Sequence, residues 1–136
     1  MSGMTFLAET GSGHVVAMDG APDGGGRNLA PRPMEMVLLG TGGCTAYDVV
    51  LILKKSAQKI TNCEVKLTAQ RTDKEPKVFT KVHFHFIVTG AALKPNTVER
   101  AIKLSHEKYC SASIMLEKTA EITHSYEIVD DSTVSG

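Results

Sequence analysis

Three cysteines and five histidines hold most of the nucleophilic and ligating capacity of this chain. Cys44 closes the run Gly40-Thr41-Gly42-Gly43 inside an otherwise apolar stretch. Glycine in a helix interior costs about 0.8–1 kcal/mol relative to alanine, so three of them cost roughly 2–3 kcal/mol. Either another element approaches closely there, or the helix breaks and leaves Cys44 at a new helix start, where unpaired N–H groups and the dipole favour a thiolate. Asp48, one turn further on, shares a helical face with the sulfur and opposes its ionisation. A buried cysteine can also be a small inert hydrophobe, and these residues alone leave both readings open.

Cys110 shifts the balance. Tyr109-Cys110-Ser111 precedes the apolar-periodic residues Ile114, Met115 and Leu116, so this thiol too sits near a helix start. Two cysteines so placed in a cysteine-poor chain suggest an attacking and a resolving thiol. Cys63, beside Asn62 and Glu64 at the start of a strand, is read as packing.

The remaining candidates point elsewhere. His83 and His85 stand two apart on one strand face, a spacing that can serve a metal, but no third ligand has suitable spacing and His14, His106 and His124 are scattered. A hydrogen-bonded strand face is expected, with no metal and no cofactor. Gly11-Ser12-Gly13 reads as a hairpin turn, and no Gly-x-Ser-x-Gly supports serine hydrolysis. The Gly-rich segment from Asp19 to Asn28 lacks the Lys-Ser/Thr of a phosphate cradle and reads as a mobile hairpin tip. Glu99, Arg100, Lys103, Glu107 and Lys108 read as a solvated helix face.

The elements that must position these residues follow from periodicity. Two short strands, Thr5–Glu9 and His14–Met18, precede the Gly-rich loop. Pro31 and Pro33 open a helix over Met34–Lys55 that is apolar on nearly every face, which predicts burial on all sides. Cys63–Arg71 and Val78–Val88 alternate as a hairpin, with Val82, Phe84, Phe86 and Val88 on one face of the second strand. Helices are predicted over Thr97–His106 and Cys110–Lys118, then a strand over Glu121–Val129 and a frayed tail from Asp130 to Gly136. This order predicts an α+β fold with an antiparallel sheet.

Totals limit the partners. The 136 residues suit one domain, and 15 basic residues balance 15 acidic ones, leaving no basic excess for nucleic acid. Gly40, Gly42, Gly43 and Asp48 interrupt the longest apolar stretch, which argues against a membrane span, and Met1–Gly20 lacks the pattern of a signal peptide. An odd cysteine count without scaffold spacing suits a reducing compartment, the cytoplasm by default.

Taken together, Pro33-Met34-Glu35-Met36-Val37-Leu38 leading to Gly42-Gly43-Cys44 resembles the first-cysteine motif of the OsmC/Ohr family. Tyr109-Cys110-Ser111, Met115-Leu116-Glu117-Lys118 and Ile122-Thr123-His124-Ser125-Tyr126-Glu127 resemble the second-cysteine segment of its YhfA-like branch, and the hairpin segments Cys63–Thr68 and Phe84–Gly90 fit that branch too. The resemblance runs from Phe6 to Val129. It implies a single OsmC-like domain with long central helices, two chains intertwined as a homodimer, and a thiol peroxidase that reduces organic hydroperoxides in the response to oxidative stress. Cys44 would attack the peroxide, Cys110 would resolve the sulfenic acid to a disulfide, and a dithiol would reduce it.

Family peroxidases add an assisting Glu ten residues before the first cysteine and an Arg. Met34 holds that position here, Glu35 lies nine before Cys44 (44 − 35 = 9), and Arg27 and Arg32 are the arginines near the loop. Both cysteines favour the enzyme. The shifted Glu and unmatched Arg favour a non-enzymatic dimer that binds a small apolar or thiol-reactive ligand.

Overall fold

The computed structural model describes residues 3–131, in two compact units that divide between Leu39 and Gly40. In the first unit, β1 (Phe6–Glu9) pairs antiparallel with β2 (Val15–Met18), Phe6 opposite Met18 and Glu9 opposite Val15. The predicted turn at Gly11-Ser12-Gly13 closes the hairpin, with the Thr10 N–H donating to the His14 carbonyl at 2.8 Å.

The following loop is more organised than a mobile tip. Asp19 is buried and accepts hydrogen bonds from the N–H groups of Gly20 (2.7 Å), Leu29 (3.1 Å) and Arg27 (3.3 Å) and from the Thr5 hydroxyl (3.0 Å). One carboxylate thus ties both ends of the glycine-rich segment to the hairpin. These donors, the Gly20 N–H first among them, outweigh the effect of burial and hold the Asp19 carboxyl below its ordinary value.

Helix α1 (Pro33–Lys55) is continuous through the glycines, so the break that would have placed Cys44 at a helix start does not occur. Close approach is the reason that holds for Gly42: a Cβ there would meet the Leu67 Cδ1 at 2.7 Å. The expectation of burial on all sides is also corrected. Within the second unit α1 buries one stripe, Thr41, Gly42, Thr45, Val49 and Leu53, while Tyr47 and Leu51 are exposed. By length and composition α1 could cross a membrane. The residues that interrupt its apolar run have uses in the fold, however, with Gly42 against Leu67 and Asp48 bonded to Ser105.

The second unit carries a three-stranded sheet. β3 (Lys59–Arg71) pairs antiparallel with β4 (Phe79–Ala91), which pairs parallel with β5 (Glu121–Asp130). The predicted all-antiparallel sheet is therefore a mixed one, and the α+β class holds. The parallel pair follows from the connection: α2 (Pro95–Leu104), a π-helical turn (Ser105–Tyr109) and α3 (Ser111–Leu116) carry the chain back across the sheet before β5 begins.

Val82, Phe84, Phe86 and Val88 are buried as their alternation predicts. Val98, Ala101 and Ile102 supply the apolar stripe of α2, at the spacing of one helical face, and Glu99, Arg100 and Lys103 lie exposed. Of the predicted tail, Asp130 belongs to β5 and residues 132–136 lie outside the described residues.

Candidate active site

The π-helical turn brings the two motif cysteines together. Its widened hydrogen bond runs from the Cys110 N–H to the Ser105 carbonyl at 2.7 Å, and it ends with Cys110 in extended conformation as the N-cap of α3. From the other side, α1 contributes Cys44 and, one turn on, Asp48. The Cys44 Sγ, the Cys110 Sγ and an Asp48 carboxylate oxygen all lie within 4.8 Å of one another. The cysteines are free thiols, and their separation leaves a short rearrangement to disulfide distance.

A buried hydrogen-bond chain fixes this meeting point. The Ser105 hydroxyl donates to Asp48 Oδ2 at 3.2 Å, so the 2.8 Å contact between the Thr45 and Ser105 hydroxyls has Thr45 as donor. Thr45 and Ser105 are both buried. Asp48, expected only as an opponent of thiolate formation, is therefore a fixed part of the site.

The two sulfurs differ in setting. Cys44 is half-buried, whereas Cys110 is 0% exposed. Burial pushes the Cys110 thiol up from its ordinary value. The Ser113 hydroxyl and N–H oppose this, the N–H lying 3.4 Å from the sulfur, and the Cys44 sulfur adds to the upward push. Ionisation of Cys110 is thus disfavoured.

Cys63 stands apart on β3, opposite Val88, and burial pushes its thiol up to about 11. Both observations suit packing.

Two histidines that looked scattered in sequence meet beside the pair. The His106 and His124 rings lie 6.2 Å apart, and His106 bridges the Ser113 hydroxyl (3.3 Å) and the Glu117 carboxylate (3.2 Å). Sequence carried no signal for this, because β5 brings in His124 from a non-local pairing. His83 and His85 form the expected hydrogen-bonded face, with Thr123, Ser125 and Glu127 as partners.

The assisting candidates lie in the first unit. Glu35 accepts the Arg32 N–H at 2.8 Å, a capping bond at the start of α1. The Arg27 backbone is tied to Asp19.

An open groove of about 280 Å³ adjoins the site, lined by Asp48, Leu51, Ile52, Lys55, Leu104 and Tyr109 among others.

Comparison with known proteins agrees with this architecture. The sequence profile described as OsmC-like protein matches residues 24–125. Protein YhfA of Escherichia coli strain K12 is 54% identical over 129 residues, covering 95% of this chain and 93% of its own. A hypothetical protein from Aquifex aeolicus VF5 superposes with a TM-score of 0.75 at 28% identity, covering 93% of this chain and 89% of the other. An organic hydroperoxide resistance protein from Elizabethkingia anophelis shares the fold at a TM-score of 0.66 and 16% identity, covering 96% of both chains.

Limited alkylation of the reduced protein at pH 8, read by peptide mass spectrometry, is expected to label Cys44 first. Cys110 is fully buried and pushed up, and Cys63 gains reactivity only as pH rises toward about 11. Earlier labelling of Cys63 or Cys110 would contradict the assigned roles.

Proposed function

Since the chain belongs to the OsmC-like protein family, we propose that it is a cysteine-based thiol peroxidase acting on organic hydroperoxides. The observation that carries this reading is the approach of the free Cys44 and Cys110 sulfurs to within 4.8 Å. Relatives named for organic hydroperoxide resistance share the fold, which supports the substrate class. The adjoining groove, with Leu51, Ile52 and Leu104 in its lining, suits an apolar peroxide tail.

In the first step the Cys44 thiolate attacks the O–O bond. Its sulfur takes the terminal hydroxyl as sulfenic acid, the O–O bond breaks, and the departing alkoxide takes a proton from solvent to leave as the alcohol. In the second step the Cys110 sulfur attacks the Cys44 sulfur, forming the S–S bond. The sulfenic hydroxyl leaves as water, with the proton that Cys110 gives up. Asp48, within 4.8 Å of both sulfurs, is the group placed to carry that proton. An external dithiol then returns the disulfide to the reduced pair. A reducing compartment such as the cytoplasm suits the three free thiols.

Consumption of cumene hydroperoxide with a dithiol reductant tests the reading. Cys44→Ser is expected to fall to background, Cys110→Ser to stall as a trappable sulfenic acid, and Asp48→Asn to close the disulfide roughly 10²-fold more slowly. Glu35→Gln, Arg27→Ala and Arg32→Ala test whether these residues assist, although none of them occupies a matched family position. Equal rates in the intact protein and Cys44→Ser would leave the second reading, a binding protein for a small apolar ligand, which the same groove favours.

We also infer that the protein works as a homodimer. Only 28% of the most apolar window of α1 is buried within the chain, and Leu39, Tyr47 and Leu51 are exposed along it. Gly40 and Gly43 would meet nothing within 4 Å if given a Cβ, so they leave room for a second helix to approach. The two-stranded β1–β2 sheet is also marginal by itself. Sedimentation at micromolar concentration is expected to give a dimer that Gly40→Leu weakens while leaving the chain folded. A monomeric intact protein would contradict the inference.

A further inference from the structure

Cys44, Asp48 and Cys110 have the composition of a metal-ligand set as well as of a redox pair. Cys44 and Asp48 are four residues apart on α1, a spacing at which two side chains on one helical face can hold one ion. Cys110 faces them from the N-cap of α3, and the three donor atoms lie within 4.8 Å of one another. Tetrahedral zinc, with Zn–S of about 2.3 Å and Zn–O of about 2.0–2.2 Å, places its ligands about 3.5–3.8 Å apart. The gap to the observed limit is about 1 Å, within the reach of side-chain adjustment.

Outer contacts of the kind that orient metal ligands are in place. Ser105 donates to Asp48, Thr45 donates to Ser105, and the Ser113 N–H reaches the Cys110 sulfur at 3.4 Å. Charge points the same way. Once a metal displaces the thiol protons, the two sulfurs and the carboxylate offer three negative charges, and among the described residues neither ion pair involves Asp48. A divalent cation complements that set, and two sulfur ligands select a borderline-soft ion over magnesium or calcium.

We propose that the reduced protein binds one Zn²⁺ per chain through Cys44 Sγ, Cys110 Sγ and the Asp48 carboxylate, with water in the fourth position. Two Zn–S bonds and one Zn–O bond form, and the thiol protons pass to solvent. No electron moves. A sulfur engaged in this way cannot attack a peroxide, so metal binding and the disulfide are mutually exclusive, and zinc holds the pair in its reduced state. The inference shares its residues with the peroxidase reading but none of its oxidation steps.

Anaerobic titration of the reduced full-length protein with Co²⁺, then displacement by Zn²⁺, tests it. The expected result is one ion per chain and a thiolate-to-cobalt charge-transfer band, lost in Cys44→Ser and Cys110→Ser and kept in Cys63→Ser. Asp48→Asn should bind on the order of tenfold more weakly. The intact protein oxidised to the disulfide should not bind, which keeps the test independent of how any variant folds. No thiolate band, or binding indifferent to Asp48 or to oxidation, overturns the proposal. Peroxide turnover measured separately with chelator present distinguishes failure of the peroxidase reading from failure of this one.

Discussion

The hydrogen bond between the Thr45 and Ser105 hydroxyls, 2.8 Å long and fully buried, ties α1 to the turn after α2 across 60 residues of sequence. Ser105 passes its own proton toward Asp48, so three polar side chains are satisfied in one apolar setting. Among the described residues, no buried side-chain nitrogen or oxygen lacks a partner. Losing Ser105 would remove both bonds and leave the buried Thr45 hydroxyl without this partner, at about 1–3 kcal/mol for a buried group. That penalty fixes how α1 faces the π-helical turn. Cys44 precedes Thr45 directly, and Cys110 donates its N–H to the Ser105 carbonyl, so the same tie sets the distance between the sulfurs.

The core supports this arrangement rather than creating it. Val49 and Leu53 continue the stripe of Thr45 down α1, and Phe84 and Phe86 of β4 and Val98 and Ile102 of α2 are buried with them. Burial also distinguishes the two thiols. The cysteine that caps α3 is fully buried and its thiol pushed up, whereas Cys44 on α1 is only half-buried. Environment distinguishes the two cysteines, since their chemistry is the same.

Much of this was legible locally. The strict alternation of Val82, Phe84, Phe86 and Val88 located β4 and its buried face, and the helix predicted over Thr97–His106 is α2, starting two residues earlier. The two cysteine motifs identified the pair that the fold brings together. What escaped prediction depends on distant partners. The direction of β5 is set by the crossover, not by its own side chains. The glycines before Cys44 were ambiguous until Leu67 of β3 was seen against Gly42. Asp48 reads as a hindrance to a thiolate when only its helix is considered, and as a hydrogen-bonded partner of the turn once Ser105 is beside it. The organising role of Asp19 was hidden for the same reason, because its donors are spread from Thr5 to Leu29.

The central claim is that Cys44 and Cys110 form one redox unit from which Cys63 is excluded. Peptide mapping of the non-reduced protein after one equivalent of organic hydroperoxide tests it most directly. The account predicts a single Cys44–Cys110 disulfide within the chain, with Cys63 still a free thiol. A disulfide that includes Cys63, or sulfenic acid on Cys44 that persists while Cys110 stays reduced, would contradict it.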